Sequence, residues 1–166
     1  MAVANTKSTS VTNADATQPG VQSKSYIQGG IPVVSVGTVE VAASDDNNSV
    51  YRMVKISSSA RVNQISFVSD AIAGATDYNM GLHKPAVLGG AVVTDNLFAD
   101  ALNLTTGNTI PLDVTFGRVN IADIEKRVWE LLGLTADPFI EYDLTLTGIV
   151  VGTAAGTISV CVETVL

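Results

Sequence analysis

From Pro32 onward, apolar and polar positions follow a period of two, interrupted by short polar clusters. Val34, Val36, Thr38, Glu40 and Ala42 alternate with Ser35, Gly37, Val39, Val41 and Ala43, an extended stretch with both faces partly apolar. Ser44-Asp-Asp-Asn-Asn-Ser49 reads as a turn. Val50–Ile56 and Val62–Ser69 alternate again as half-buried strands, and Tyr78–His83 is a short strand closed by Pro85 and Gly89-Gly90. Asn96–Leu102, with Asp95 as its N-cap, reads as a short helical turn. Ile110–Phe116 contains Pro111, which suits an edge strand. Phe139–Val151 and Thr157–Val165 read as two final strands around the loop Val151–Gly156.

One segment carries a helical period. Ile121, Ile124, Val128 and Leu131 form one stripe, Trp129 and Leu132 extend it, and Asn120 stands ready as cap. Gly133 is the expected C′ residue, with Pro138 beyond it. The stripe predicts a helix over 121–132 with Ile124 buried. Seven or eight strands and one short helix suggest an all-β fold, an antiparallel jelly-roll-like β-sandwich.

Residues 1–32 differ from the 33–166 body. They are mostly Ser, Thr, Asn, Gln, Ala and Gly, with sparse apolar residues that follow neither period. Such a stretch buries too little surface to offset its ordering entropy. It is either a frayed terminus or an extended N-terminal arm that orders against a partner. In the second case Val11, Val21, Tyr26 and Ile27 are spaced as isolated contacts for a partner surface.

Composition narrows the function. The chain has 166 residues, enough for a core without staples. Only 15% are charged, and nine Lys+Arg against sixteen Asp+Glu give a net charge of −7. That balance argues against a nucleic-acid partner, whose phosphates select clustered cations. No apolar run approaches the roughly 20 residues of a membrane span. The first residues lack a basic segment followed by an apolar run, so no signal peptide is expected and synthesis in a cytoplasm is.

Catalysis finds little support. His83 is the only histidine and reads as a rim residue at a strand end; no nucleophile motif accompanies it. Cys161, the only cysteine, reads as a small packed thiol. Asp45-Asp46 with Asn47-Asn48 offers oxygens to a hard cation, yet lacks the spacing and distal Glu of a calcium loop. Glu141 and Asp143 share a strand face, which a pair of surface acids explains. No enzyme activity, metal or cofactor is expected.

The order of segments resembles a known family. Ala4-Asn-Thr-Lys-Ser8 precedes Gly37-Thr-Val-Glu-Val-Ala42, Ser49-Val-Tyr-Arg-Met-Val-Lys55 and Ser59-Ala-Arg-Val-Asn63. Asp70-Ala-Ile72, Gly89-Gly-Ala-Val-Val93, Asp95–Ala101 and Ile124-Glu-Lys-Arg-Val-Trp-Glu-Leu-Leu-Gly-Leu134 follow. Asp137-Pro138, Tyr142-Asp143 and Ala155-Gly-Thr-Ile-Ser-Val160 close the series. The whole is similar to the head decoration, or cement, proteins of tailed bacteriophages. The resemblance implies a jelly-roll body with a terminal arm, no catalytic residues, and a place on the capsid surface of the virion. The implied partners are the major capsid protein and neighbouring copies in a dimer or trimer. A receptor- or carbohydrate-binding sandwich of a phage tail or fibre shares the composition, but four Tyr, four Phe and one Trp give it few platforms for sugar rings.

Overall fold

The computed structural model describes residues 6–15 and 24–166. Eight strands form the body: β1 (Pro32–Val41), β2 (Ser49–Ser57), β3 (Arg61–Ser69), β4 (Asp77–His83), β5 (Val92–Leu102), β6 (Asn108–Asp113), β7 (Glu141–Val150) and β8 (Gly156–Val165). They make two four-stranded antiparallel sheets, ordered β1-β8-β3-β6 and β2-β7-β4-β5. Only β4 and β5 pair as chain neighbours; the other strands cross between sheets. This interleaved winding is the jelly roll.

The inward positions fill the space between the sheets. Leu82 pairs with Leu144 and Met80 with Leu146 on one sheet, while Phe67 pairs with Val160 and Ile65 with Val162 on the other. All eight side chains are buried. Val62 is buried as well, although simple alternation places it opposite Ile65. The pairing skips from Val62 to Gln64, and that bulge at Asn63 reverses the phase. Gly148 leaves room for the Tyr78 ring, whose hydroxyl donates to the Val151 carbonyl.

Two predicted elements are corrected. Residues 96–102 are not helical but belong to β5, eleven residues long. The β4–β5 register shifts three times, so Phe98 and Ala99 are both buried and the period of two is erased from the sequence. Pairing with β4 outweighs the local capping signal at Asp95. The 121–132 helix is also broken. It divides into a single 3-10 turn at Ile121–Asp123 and a four-residue helix at Val128–Leu131, preceded by extended Arg127. The amides of Val128 and Trp129 donate to the carbonyls of Ala60 and Ser58 in the β2–β3 turn, so they do not continue a helix from residue 124. Ile124 is 41% exposed rather than core, and Val128 is the residue that plugs the body. Asn120 does cap its turn, accepting from the Ala122 amide, and Gly133 ends the later one at a positive φ of 69°.

A six-residue helix, α1 (Thr9–Ala14), precedes the body, capped by the Ser8 hydroxyl. We name the Val128–Leu131 helix α2.

Candidate interaction surface

The ends of the sandwich differ in chemistry. One end holds the loops 42–48, 70–76, 103–107 and 151–155. These contain Asp45, Asp46 and Asp70, and no Lys or Arg. Their large apolar residues turn inward: Ile72, Leu104 and Val151 are buried, tied by backbone bonds from Ile72 N–H to Leu104 and from Leu104 N–H to Ala75. Asp45 is spent within its own turn, accepting from the Ala42 amide and the Tyr51 hydroxyl. Among the described residues, no cluster of three or more His, Cys, Asp or Glu is placed to hold a metal ion.

The opposite end gathers segment 24–31, the 58–60 turn, the 84–91 loop and the later part of the 114–140 connection, whose first residues run instead beside β3 and β5, where Val114 N–H donates to Ile65 and Arg118 pairs with Asp100. Antiparallel register brings them together, since the start of β1 and the end of β8 lie beside the start of β3, and the end of β4 beside the starts of β5 and β7. Here apolar side chains point outward. Val87 is 90% exposed, Ile121 87%, Phe139 83% and Ile31 74%; Leu88, Val92 and Leu166 are exposed too. Phe139 also has a φ of 52°. A bulky residue in the left-handed region carries a conformational cost. The Asp137 carboxylate helps to hold it there, accepting from the Phe139 amide and from the Ser58 and Ser59 hydroxyls. Burial pushes the Asp137 pKa up, but these bonds outweigh it and hold the carboxyl below the usual range.

Beside this end, the edge strands β1 and β2 touch where a Cβ on Gly37 would lie 2.3 Å from the Met53 carbonyl oxygen. Next to that contact is a groove of about 600 Å³ between Val36, Met53 and Val54 on one side and Ala86 and Val87 on the other. Arg52 also lines it. Its guanidinium donates to the Asp143 carboxylate and to the Lys84 and Gly90 carbonyls, pinning the 84–91 loop, while Lys55 takes the other Asp143 oxygen at 2.9 Å. Asp143 is therefore not a surface acid paired with Glu141 but a buried carboxylate holding two cations. His83 is likewise buried rather than on the rim, with Nδ1 2.7 Å from the Thr145 hydroxyl. Burial and the Arg52 charge lower its pKa, against the opposing pull of Asp143 and Asp95. Cys161 is exposed on the outer face of its sheet, opposite Val36 and Ser66, rather than packed.

Three of the four sequence-chosen contact residues lie among the described residues. Val11 is exposed on α1, and Val21 lies outside the described residues. Tyr26 is buried against its own body: the Arg127 guanidinium stacks between the Tyr26 and Trp129 rings, and Arg61 donates to the Tyr26 carbonyl. Ile27 beside it is half-buried. Gly30 packs so closely on Val165 and Leu166 that a Cβ would clash. Residues 24–30 thus lie against the body. Sequence reasoning missed the exposed apolar end because Ile121 and Ile124 fit a helical stripe, Phe139 reads as the start of a strand, and Val87 and Leu88 lie in a loop with no period. Apolar residues in loops between Pro and Gly were the signal available.

No protein-family model and no curated protein matches this chain. A chain in a structure described as "Cyanophage Pam1 capsid asymmetric unit" aligns with 100% of it and with 99% of its own length, at a TM-score of 0.55 and 16% identity. A chain of the Helicobacter pylori bacteriophage KHP30 capsid aligns with 82% of this chain and 92% of its own, at a TM-score of 0.40 and 15% identity. The first likeness is one of fold, from end to end.

Proposed function

We propose that this chain is a non-enzymatic virion structural protein that binds the outside of a bacteriophage capsid and stabilises it. The observation that carries the reading is the outward-turned apolar side chains at one end of a jelly roll whose whole length matches a chain of a phage capsid structure. Soluble proteins that work alone rarely leave such groups together, and a surface of this kind fits another protein. The net charge of −7 keeps free copies soluble before assembly. The buried His83 and the ion-paired Asp143 are occupied in holding strands and a loop, which accords with a scaffold that needs no chemistry.

The test is co-sedimentation of the purified chain with undecorated capsids, followed by heating. The expected result is saturable binding and a higher capsid disruption temperature. A chain that stays in the supernatant and binds host cells or glycans instead overturns the reading in favour of a tail or fibre module.

A further inference from the structure

We propose that the body attaches by its apolar end, with Val87, Ile121 and Phe139 buried on the protein shell and the acidic loops turned away from it. This rests on the decoration reading and gives it a direction. Three observations converge. The first is the contrast in exposure: apolar loop residues are buried at one end and exposed at the other. The second is Phe139, an exposed aromatic ring kept in a costly backbone conformation by a carboxylate that three donors fix in place. The body's own packing does not use that ring. An anchor filling a pocket on a partner does, and aromatic anchors dominate interface energetics.

The third is charge. Leaving aside Arg118, which is paired with Asp100 on β5, segments 24–31, 58–60, 84–91 and 121–140 hold four cations (Lys24, Lys84, Lys126, Arg127) against Asp123, Glu125, Glu130 and Asp137. The opposite loops hold only acids. A near-neutral, apolar surface loses little on desolvation and matches a shell surface that is itself apolar. The acidic end would draw only a cationic partner and would depend on salt. The occupant is therefore an apolar protein surface of the shell.

Three variants decide it, assayed by co-sedimentation with capsids. Val87→Asp with Ile121→Asp places charges on exposed sites, which leaves folding intact. Phe139→Gly removes the ring and relieves the positive φ. Asp46→Lys with Thr106→Lys alters the acidic end. The first two variants should bind at least tenfold more weakly with unchanged or raised melting temperature; the third should bind like the parent, and parent binding should persist from 0.1 to 0.5 M salt. Parent-like binding by both apolar-end variants, or loss of binding in the acidic-end variant, overturns the orientation while leaving decoration standing. So does a change in oligomeric state on sedimentation equilibrium with capsid binding kept, which would make this end a contact between copies. A parent chain that does not bind capsids removes both readings.

Discussion

Replacing Asp143 by Asn should cost about 2 kcal/mol at pH 7, a value bounded by two limits. Breaking a fully buried ion pair costs about 3–5 kcal/mol, because an uncompensated charge stays inside. An exposed pair is worth about 0–1 kcal/mol. Asp143 is buried, with 10% of its side chain exposed, but Arg52 and Lys55 reach water with 36% and 54% of theirs. The substitution keeps the shape and one acceptor, removes the charge, and leaves Arg52 and Lys55, both on β2, without the anion between them. For a chain of this length, 2 kcal/mol is about 4–8 °C in melting temperature. The pH dependence is a second check. Burial raises the Asp143 pKa, but the bonds from Lys55 and Arg52 and their charges outweigh it and hold the group below its ordinary value. A depressed folded pKa gives stability that is complete above the unfolded value near 3.9 and is lost as pH falls through the folded one. The gap between parent and variant, measured by urea denaturation, should be constant from pH 7 to about 5 and close below about 4. A gap that persists undiminished at pH 2.5, or none at pH 7, would refute the assignment of Asp143 as the charged centre of this cluster.

His83 has a folded pKa below its unfolded value, so stability should fall as pH drops below about 6.5, where only the unfolded chain gains the proton. His83→Gln should flatten the urea midpoint between pH 7 and 5. Gly81→Ala places a Cβ 2.1 Å from the Thr94 carbonyl oxygen, so it should cost about 1–3 kcal/mol by calorimetry; parent-like melting would show that β5 does not cross β4 at that point. Tyr26→Ala removes a buried ring and its stack on Arg127, and should cost about 2–4 kcal/mol, whereas a neutral result would mean that segment 24–30 is not docked. Ile124→Asp should cost no more than about 1 kcal/mol, far below the cost of a charge in the core, because the side chain is 41% exposed.

The strands were legible where cross-strand pairing is regular. β2, β7 and β8 begin and end within two residues of their alternating runs, and the jelly-roll class followed from strand number and spacing. β5 was not legible, because each register shift against β4 resets which side chain faces inward. The 121–132 stripe misled for a related reason: helical spacing was present, but the carbonyls of Ala60 and Ser58, 68 and 71 residues earlier, took the amides that a helix needs. Val62 and His83 show the same limit on single residues, one turned inward by a bulge and the other buried beside Asp143 and Thr145 of β7, some sixty residues further along the chain. Tyr26 was chosen for its isolation in a polar segment; its partners, Arg127 and Arg61, are remote in the chain and carry no local mark. The apolar end is a property of four loops at once, which no window along the sequence samples.

The position of β8 between β1 and β3 has a consequence for how the protein is made. Emerging from a ribosome at about 5–20 residues per second, the chain presents β1 many seconds before the strand that must lie beside it exists. Throughout that interval the central position of this sheet is vacant, and β1 and β3 each expose an edge able to pair with the wrong chain. Valine-rich β1 is the more hazardous of the two. β8 thus closes the sheet in a single step after β1 and β3 have emerged, and folding is limited by contacts of long sequence separation. A ribosome that stalls before Gly156 therefore releases an aggregation-prone fragment rather than a partly folded body.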